Sequence, residues 1–289
     1  MPNCDKTKLL QHLKALVETD KPRFFRNFEV LQSVADYIYN EFCLYSNQVE
    51  YQPYLAGQTT FNNIICSFGN TNAQRIIIGA HYDVCDRLPG ADDNASGVAG
   101  LLELARLFSE YDFKDYPYRI DLVAYCLEEP PYFGTELMGS YIHAKYLYDN
   151  KIEVYGMLAL EMIGYFSDEP NSQTYPLKSM EKKYGNVGDY IATATKLKAG
   201  KFANQFASLM NENQHIKHYY YKAPKQVDVV GMSDHLNYWK FNYSACMLTD
   251  TSYLRNPNYH KKTDTISTLN LDKMKAVVDA VFQSVLKML

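Results

Sequence analysis

RIIIGAHYD, residues 75–83, is a continuous β-branched run that stops at a histidine and, two residues on, an aspartate. An uninterrupted apolar run of this length is what a strand buried on both faces of a sheet requires, where an edge or half-exposed strand would alternate. Two further segments repeat the construction. IDLVAYCLEE at 120–129 ends in Glu128 and Glu129, and VYGMLALE at 154–161 ends in Glu161. Three apolar strands that each run into a potential metal ligand place those ligands together, because in open α/β sheets ligands bind outside the carboxyl ends of the strands.

Working outward, helical and strand patterns alternate. Leu9, Leu10, Leu13, Leu16 and Val17 fall at helical spacing, as do Val30, Leu31, Val34, Ala35 and Ile38. Phe61–Phe68 reads as a strand and Ser96–Glu110 as a helix. A helix over 137–147 follows, then a helix near 201–211 and strands near 218–221 and 243–248. The closing helix carries Leu271, Met274, Val277, Val278, Val281, Phe282 and Val285 at i, i+3, i+4, i+7 spacing. The stretch 167–187 is polar, contains Gly and Pro and lacks periodicity, so it is expected to be a long surface excursion, often a functional one. No repeat or low-complexity linker divides the chain. The expected fold is α/β, a single domain over 1–289 with a mixed, mostly parallel central sheet sandwiched by helices.

Composition narrows the function. The 33 acidic and 29 basic residues are interspersed without a basic run to follow a phosphate backbone, which argues against nucleic acid as partner. No apolar stretch nears the roughly 20 residues of a membrane span, and the N-terminus reads as an amphipathic helix rather than a leader. The six cysteines form no CxxC pairs and are expected to be free thiols in a reducing, cytoplasmic setting, a secreted location applying if a leader has been removed.

Two histidines and several carboxylates suit zinc. The segments HYD (81–83), PGADDNASG (89–97), LEE (127–129), LEMIG (160–164), SDH (233–235) and NPNYHKKTDT (256–265) together resemble the dizinc exopeptidases typified by aminopeptidase Y and bacterial leucyl aminopeptidases, relatives of the glutaminyl cyclases. The resemblance runs from about residue 76 to 265. It implies two zinc ions per chain, one held by His81 and Glu161, the other by Glu129 and His260, with Asp93 bridging. It implies further that Glu128 is the general base, taking a proton from the attacking water and passing it to the departing amine. The substrates implied are peptides with a free N-terminus. Two departures stand out: Glu161 occupies a position that is often Asp, and PPYFGTELMGS (130–140) is longer than the simplest family form.

Each residue also has an ordinary reading. His81 alone suits a core histidine, Glu128 and Glu129 a helix N-terminus, and PGADDNASG a turn with Ser96 near a helix start. Asp83 is expected to orient the His81 imidazole, with Asp234 and Asp264 as weaker candidates for the same task. His235 is expected to be structural and Cys85 a loop thiol. Three rival functions use the same fold: a single-zinc glutaminyl cyclase, which would lack the His81 position; a carboxypeptidase, in which Arg87 or Arg255 grips a carboxylate; and a binding module with a broken ligand set.

Overall fold

The computed structural model describes residues 2–224 and 227–289. Two helices open it, α1 (Lys6–Val17) and α2 (Phe28–Cys43), followed by strands β1 (Val49–Ala56), β2 (Thr59–Phe68) and β3 (Gln74–His81). An irregular turn at 91–96 leads into α3 (Gly97–Phe108), β4 (Tyr118–Tyr125), α4 (Gly139–Asp149) and β5 (Val154–Glu161). The remainder runs α5 (Lys178–Tyr184), β6 (Ile191–Lys196), α6 (Gly200–Glu212), β7 (His218–Ala223), α7 (His235–Lys240), β8 (Ala245–Thr249) and α8 (Leu271–Leu286). The strands form one sheet in the order β1-β2-β4-β3-β5-β8-β6-β7.

At its centre β4, β3, β5 and β8 are mutually parallel, with Ala80 opposite Ala124, Ile78 opposite Leu158, and Glu161 opposite Thr249. Both faces are covered, which explains the unbroken apolar runs. Ile76, Ile78 and Ala80 face the larger core with α1, α2, α3, α6 and α8, while Ile77 faces the smaller core under α4 and α7. Parallel register brings the four carboxyl ends to one edge. The connection leaving β3 leads to β4 on one side, and the chain leaving β5 proceeds to the other. The crevice between β3 and β5 is therefore a topological switch point, the place where such sheets bind ligands.

Three elements depart from the sequence reading. The excursion 167–187 contains α5, a helix that buries none of its residues and so carries no apolar stripe to read. Strand β6 (IATATK) buries Thr193 and Thr195, whose hydroxyls bond His218 Nε2 (2.8 Å) and the Ala245 carbonyl (2.9 Å), so a polar pattern hides a core strand. The six-residue α7 is too short for its period to show. All six cysteines are unpaired, as expected. Among the described residues no helix is long and apolar enough to cross a membrane.

One glycine is required by packing at the centre of this sheet. A Cβ on Gly79 would lie 2.2 Å from the Tyr125 ring, and that ring cannot swing aside because its hydroxyl is 2.7 Å from Tyr238 Oη in the buried smaller core. Gly79→Ala is expected to lower stability by about 1–3 kcal/mol through overpacking. A urea unfolding midpoint equal to that of the unaltered protein would contradict this packing.

Candidate metal centre

Strands β3 and β5 end on His81 and Glu161. Strand β4 stops at Tyr125, short of the 120–127 run read from sequence, and the loop that follows it brings Glu128 and Glu129 to the same crevice. Two further loops add Asp93 and His260. The Asp93 carboxylate lies between the histidines: Oδ1 is 3.4 Å from His81 Nε2, and Oδ2 is 3.1 Å from His260 Nε2. Glu161 Oε2 is 3.4 Å from His81 Nε2, and Glu129 Oε2 is 3.5 Å from His260 Nε2. Glu128 Oε2 stands off at 3.9 Å from His81. The donor atoms fall into two sets, His81–Asp93–Glu161 and Cys85–Glu129–His260, each with its atoms within 4.8 Å of one another.

Each donor is held by a partner distant in sequence. Asp83 Oδ1 lies 3.5 Å from His81 Nδ1 without a hydrogen bond, and its two oxygens accept the backbone N–H groups of Glu128 and Glu129, both at 3.1 Å. These bonds tie the end of β3 to the loop that follows β4. Asp264 accepts the N–H groups of Asp92 (2.9 Å) and Asp93 (3.2 Å), fixing the backbone on which the Asp93 carboxylate is carried. Ser233 donates to Glu161 Oε2 at 2.8 Å. His235 donates to the Val230 carbonyl at 2.7 Å and is structural, as expected. Asp234 is fully buried close behind His81 and Glu161, whose charges act on it in opposite senses. Tyr259 stacks on the His260 ring at 3.9 Å between centroids.

Several supports had no sequence signal. Asn94 donates to the Leu160 carbonyl (2.8 Å) and accepts from Met162 N–H (3.0 Å), clamping the 91–96 turn onto the end of β5. Asp92 accepts from Gly164 N–H (2.9 Å) and Asn256 Nδ2 (2.7 Å). The guanidinium of Arg23, fully buried, donates to the carbonyls of Leu16 (3.1 Å), Pro89 (2.8 Å) and Gly90. Ser96 makes no side-chain cap on α3; its hydroxyl instead bonds the Asp92 carbonyl (2.7 Å) and Ile163 N–H (3.0 Å). Cys85, read from sequence as a plain loop thiol, lies beside Glu129 and His260.

The residues fit metal ions on grounds of charge. Asp83, Asp93, Glu128, Glu129 and Glu161 expose only 2–6% of their surface yet crowd around two imidazoles. Both nitrogens of His81 and Oε1 of Glu129 lack hydrogen-bond partners. Burying like charges together is costly without compensation, and the groups show it in their proton affinities. Burial opposes charge on His81, but Glu128 and Glu161 hold its imidazole well above the ordinary value. Burial pushes Glu128 well above the usual carboxylate range. Burial and the neighbouring Asp93 push Glu129 up to about 7. His260, though partly desolvated, is raised to about 10 by Asp93 and Glu129. Burial and the same carboxylates push the Cys85 thiol up to about 12. Protons fill the role that cations would take.

The donors floor a cleft of about 740 Å³ whose walls are mostly apolar, including Phe133, Leu177, Met180, Tyr221, Met247 and Leu254. Segment 173–184 of the excursion builds one wall. Arg255 does not line this cleft: its Nε donates to Gln173 Oε1 (2.8 Å) and its Nη1 to the Tyr190 carbonyl (2.7 Å), pinning the excursion in place. Arg87 is exposed and also lies outside the lining.

A family model described as peptidase family M28 matches residues 63–285. YfbL of Escherichia coli (strain K12), described as uncharacterized, is 39% identical over 282 residues, covering 95% of this chain and 85% of YfbL. Leucine aminopeptidase 1 of Arthroderma otae is 28% identical over 226 residues, 74% of this chain and 54% of that protein, so the chain spans about half the length of that relative. Among solved structures, the LapA aminopeptidase of Legionella pneumophila superposes with a TM-score of 0.77 at 20% identity, covering 99% of this chain and 72% of LapA. A glutaminyl cyclase of Bacteroides thetaiotaomicron bound to N-acetylhistamine gives 0.69 at 18% identity, covering 98% and 97%. At these identities the two structures establish the fold.

The charge cluster sets the pH response of the metal-stripped protein. The folded value of Glu129, about 7, exceeds its ordinary 4.5, so the folded state binds more protons and the group's stabilising contribution disappears as pH rises from 4.5 through 7. His260, raised to about 10 from 6.5, acts in the same direction at higher pH. In excess chelator the melting temperature is expected to fall with rising pH across this window, and added zinc is expected to flatten the curve. A melting temperature in chelator that climbs over the same range would overturn this account of the charge cluster.

Proposed function

This chain belongs to peptidase family M28, and from that membership we propose that it is an aminopeptidase acting on peptides with a free N-terminus through two zinc ions. The observation that carries the reading is the Asp93 carboxylate, whose two oxygens face two separate donor sets. His81, Asp93 and Glu161 would hold one ion, and Asp93, Glu129 and His260 the other. Bound there, the ions would polarise the scissile carbonyl and acidify the attacking water.

The remaining steps fall to the chain's own groups. Glu128 borders the cleft and belongs to neither donor set, leaving its carboxylate free to take a proton and deliver it to the departing amine. Among the described residues, the two lysines on the cleft wall are engaged elsewhere, Lys222 with Asn204 Oδ1 at 2.7 Å and Lys183 over the Tyr184 ring. That engagement favours an aminopeptidase over a carboxypeptidase. The placement of His81 between Asp93 and Glu161 favours two ions over the single-zinc cyclase arrangement. The apolar walls suit a substrate with large apolar side chains.

The test is mass-spectrometric tracking of a short peptide with the zinc-loaded protein, beside its N-acetylated twin and a version that begins with glutamine. Stepwise shortening of the free peptide alone is expected; pyroglutamate formation without shortening would replace the proposal with a cyclase. Glu128→Gln is expected to retain both ions by metal analysis and to lose roughly 10²–10⁴-fold in rate, the usual contribution of a positioned acid–base group. Undiminished turnover in that variant would remove Glu128 from the mechanism.

A further inference from the structure

Cys85 leaves the strand β3 edge four residues after His81 and turns back toward the second donor set, so that its Sγ, a Glu129 carboxylate oxygen and a His260 ring nitrogen lie within 4.8 Å of one another. A second observation points to a ligand at the same spot. Glu129 is 96% buried by its 4% exposure, and its Oε1 has no hydrogen-bond partner. A third is a small, partly open void of about 10 Å³ lined by Cys85, Asp93, Glu129 and His260 together with Lys261 and Asp264. That space is close to the minimum for a single water-sized occupant.

From this geometry we infer that Cys85 is a fourth protein ligand of the second ion, joining Asp93, Glu129 and His260. The inference rests on the two-ion reading above. Thiolate, imidazole and carboxylate together are a donor set that zinc accepts in tetrahedral sites, with sulfur at about 2.3 Å and nitrogen at about 2.0–2.1 Å from the metal. Formation of the sulfur–metal bond releases the thiol proton to solvent, and no oxidation state changes. The consequence is asymmetry. The second ion would have four protein donors and take up an oxygen of water or substrate as a fifth ligand, whereas the first, held by His81, Asp93 and Glu161, would have three and a position left open. A soft sulfur donor also biases the second position toward zinc or cobalt over manganese.

The experiment strips the full chain of metal and titrates it with cobalt(II), following metal content and near-ultraviolet absorption together. Two cobalt ions per chain with a thiolate-to-cobalt charge-transfer absorption are expected. That absorption is expected to vanish in Cys85→Ser and to persist in Cys43→Ser, a substitution at an exposed cysteine. In the unaltered protein, peptide mapping after iodoacetamide should show Cys85 alkylated in chelator and protected by zinc, a readout that needs no variant. Two bound cobalt ions without the absorption, or alkylation of Cys85 that zinc does not slow, would overturn the ligand assignment and leave the two-ion reading standing. Failure to bind cobalt or zinc at all would overturn the two-ion reading itself.

Discussion

Five carboxylates packed out of water around two imidazoles set the terms for everything else in this molecule. Carboxylates at such separations raise one another's proton affinity, and desolvation raises it further. Only cations or protons make the cluster tolerable, and the raised values at Glu129 and His260 record how strongly it attracts them. A cluster of this kind persists only if the fold holds it in place against its own repulsion. The hydrogen bonds around it do so: Asp83 grips the backbone of Glu128 and Glu129, Asp264 that of Asp92 and Asp93, and Asn94 the end of β5.

These clamps act in two ways. Asp83, Asp264 and Asn94 bond to backbone groups, whereas Ser233 donates to a donor atom itself, Glu161 Oε2. The backbone amides next to Glu128, Glu129 and Asp93 are satisfied, while His81 and Glu129 keep unpartnered atoms facing inward. Buried polar atoms are almost always paired in folded proteins, so a group of orphans within a network this well connected marks a place kept for something else. The sheet provides the rigid base. Four parallel strands whose carboxyl ends align in register fix two of the donor positions, His81 and Glu161, before any loop contributes.

The cleft above the donors depends on a different balance. Its wall at 173–184 has little core of its own, since α5 buries no residue. Arg255 and Gln173 hold that excursion to the body through bonds to each other and to the Tyr190 carbonyl. A residue type that the sequence offered as a grip for a substrate carboxylate is thus consumed in building the pocket. The same segment, featureless in sequence, sets the shape of the space in which a substrate side chain would lie.

What the sequence determined by itself is the set of features written in local periodicity. The buried runs 75–80, 120–127 and 154–160 predict central parallel strands, and the residues that terminate them, His81, Glu128, Glu129 and Glu161, predict a site at their ends, because a continuous apolar run can only be buried on both faces. Asp93 and His260 lie on loops without a period, and they were legible only through the resemblance carried by PGADDNASG and NPNYHKKTDT. What only the tertiary structure decided is which residues meet across long separations. Arg23 reaches Pro89, Asp264 reaches Asp92, and Cys85 lies against Glu129 and His260. No local pattern encodes these pairings, since a hydrogen bond or a shared ion between distant residues depends on the path of the chain between them, and neither partner need differ from a surface residue of its type.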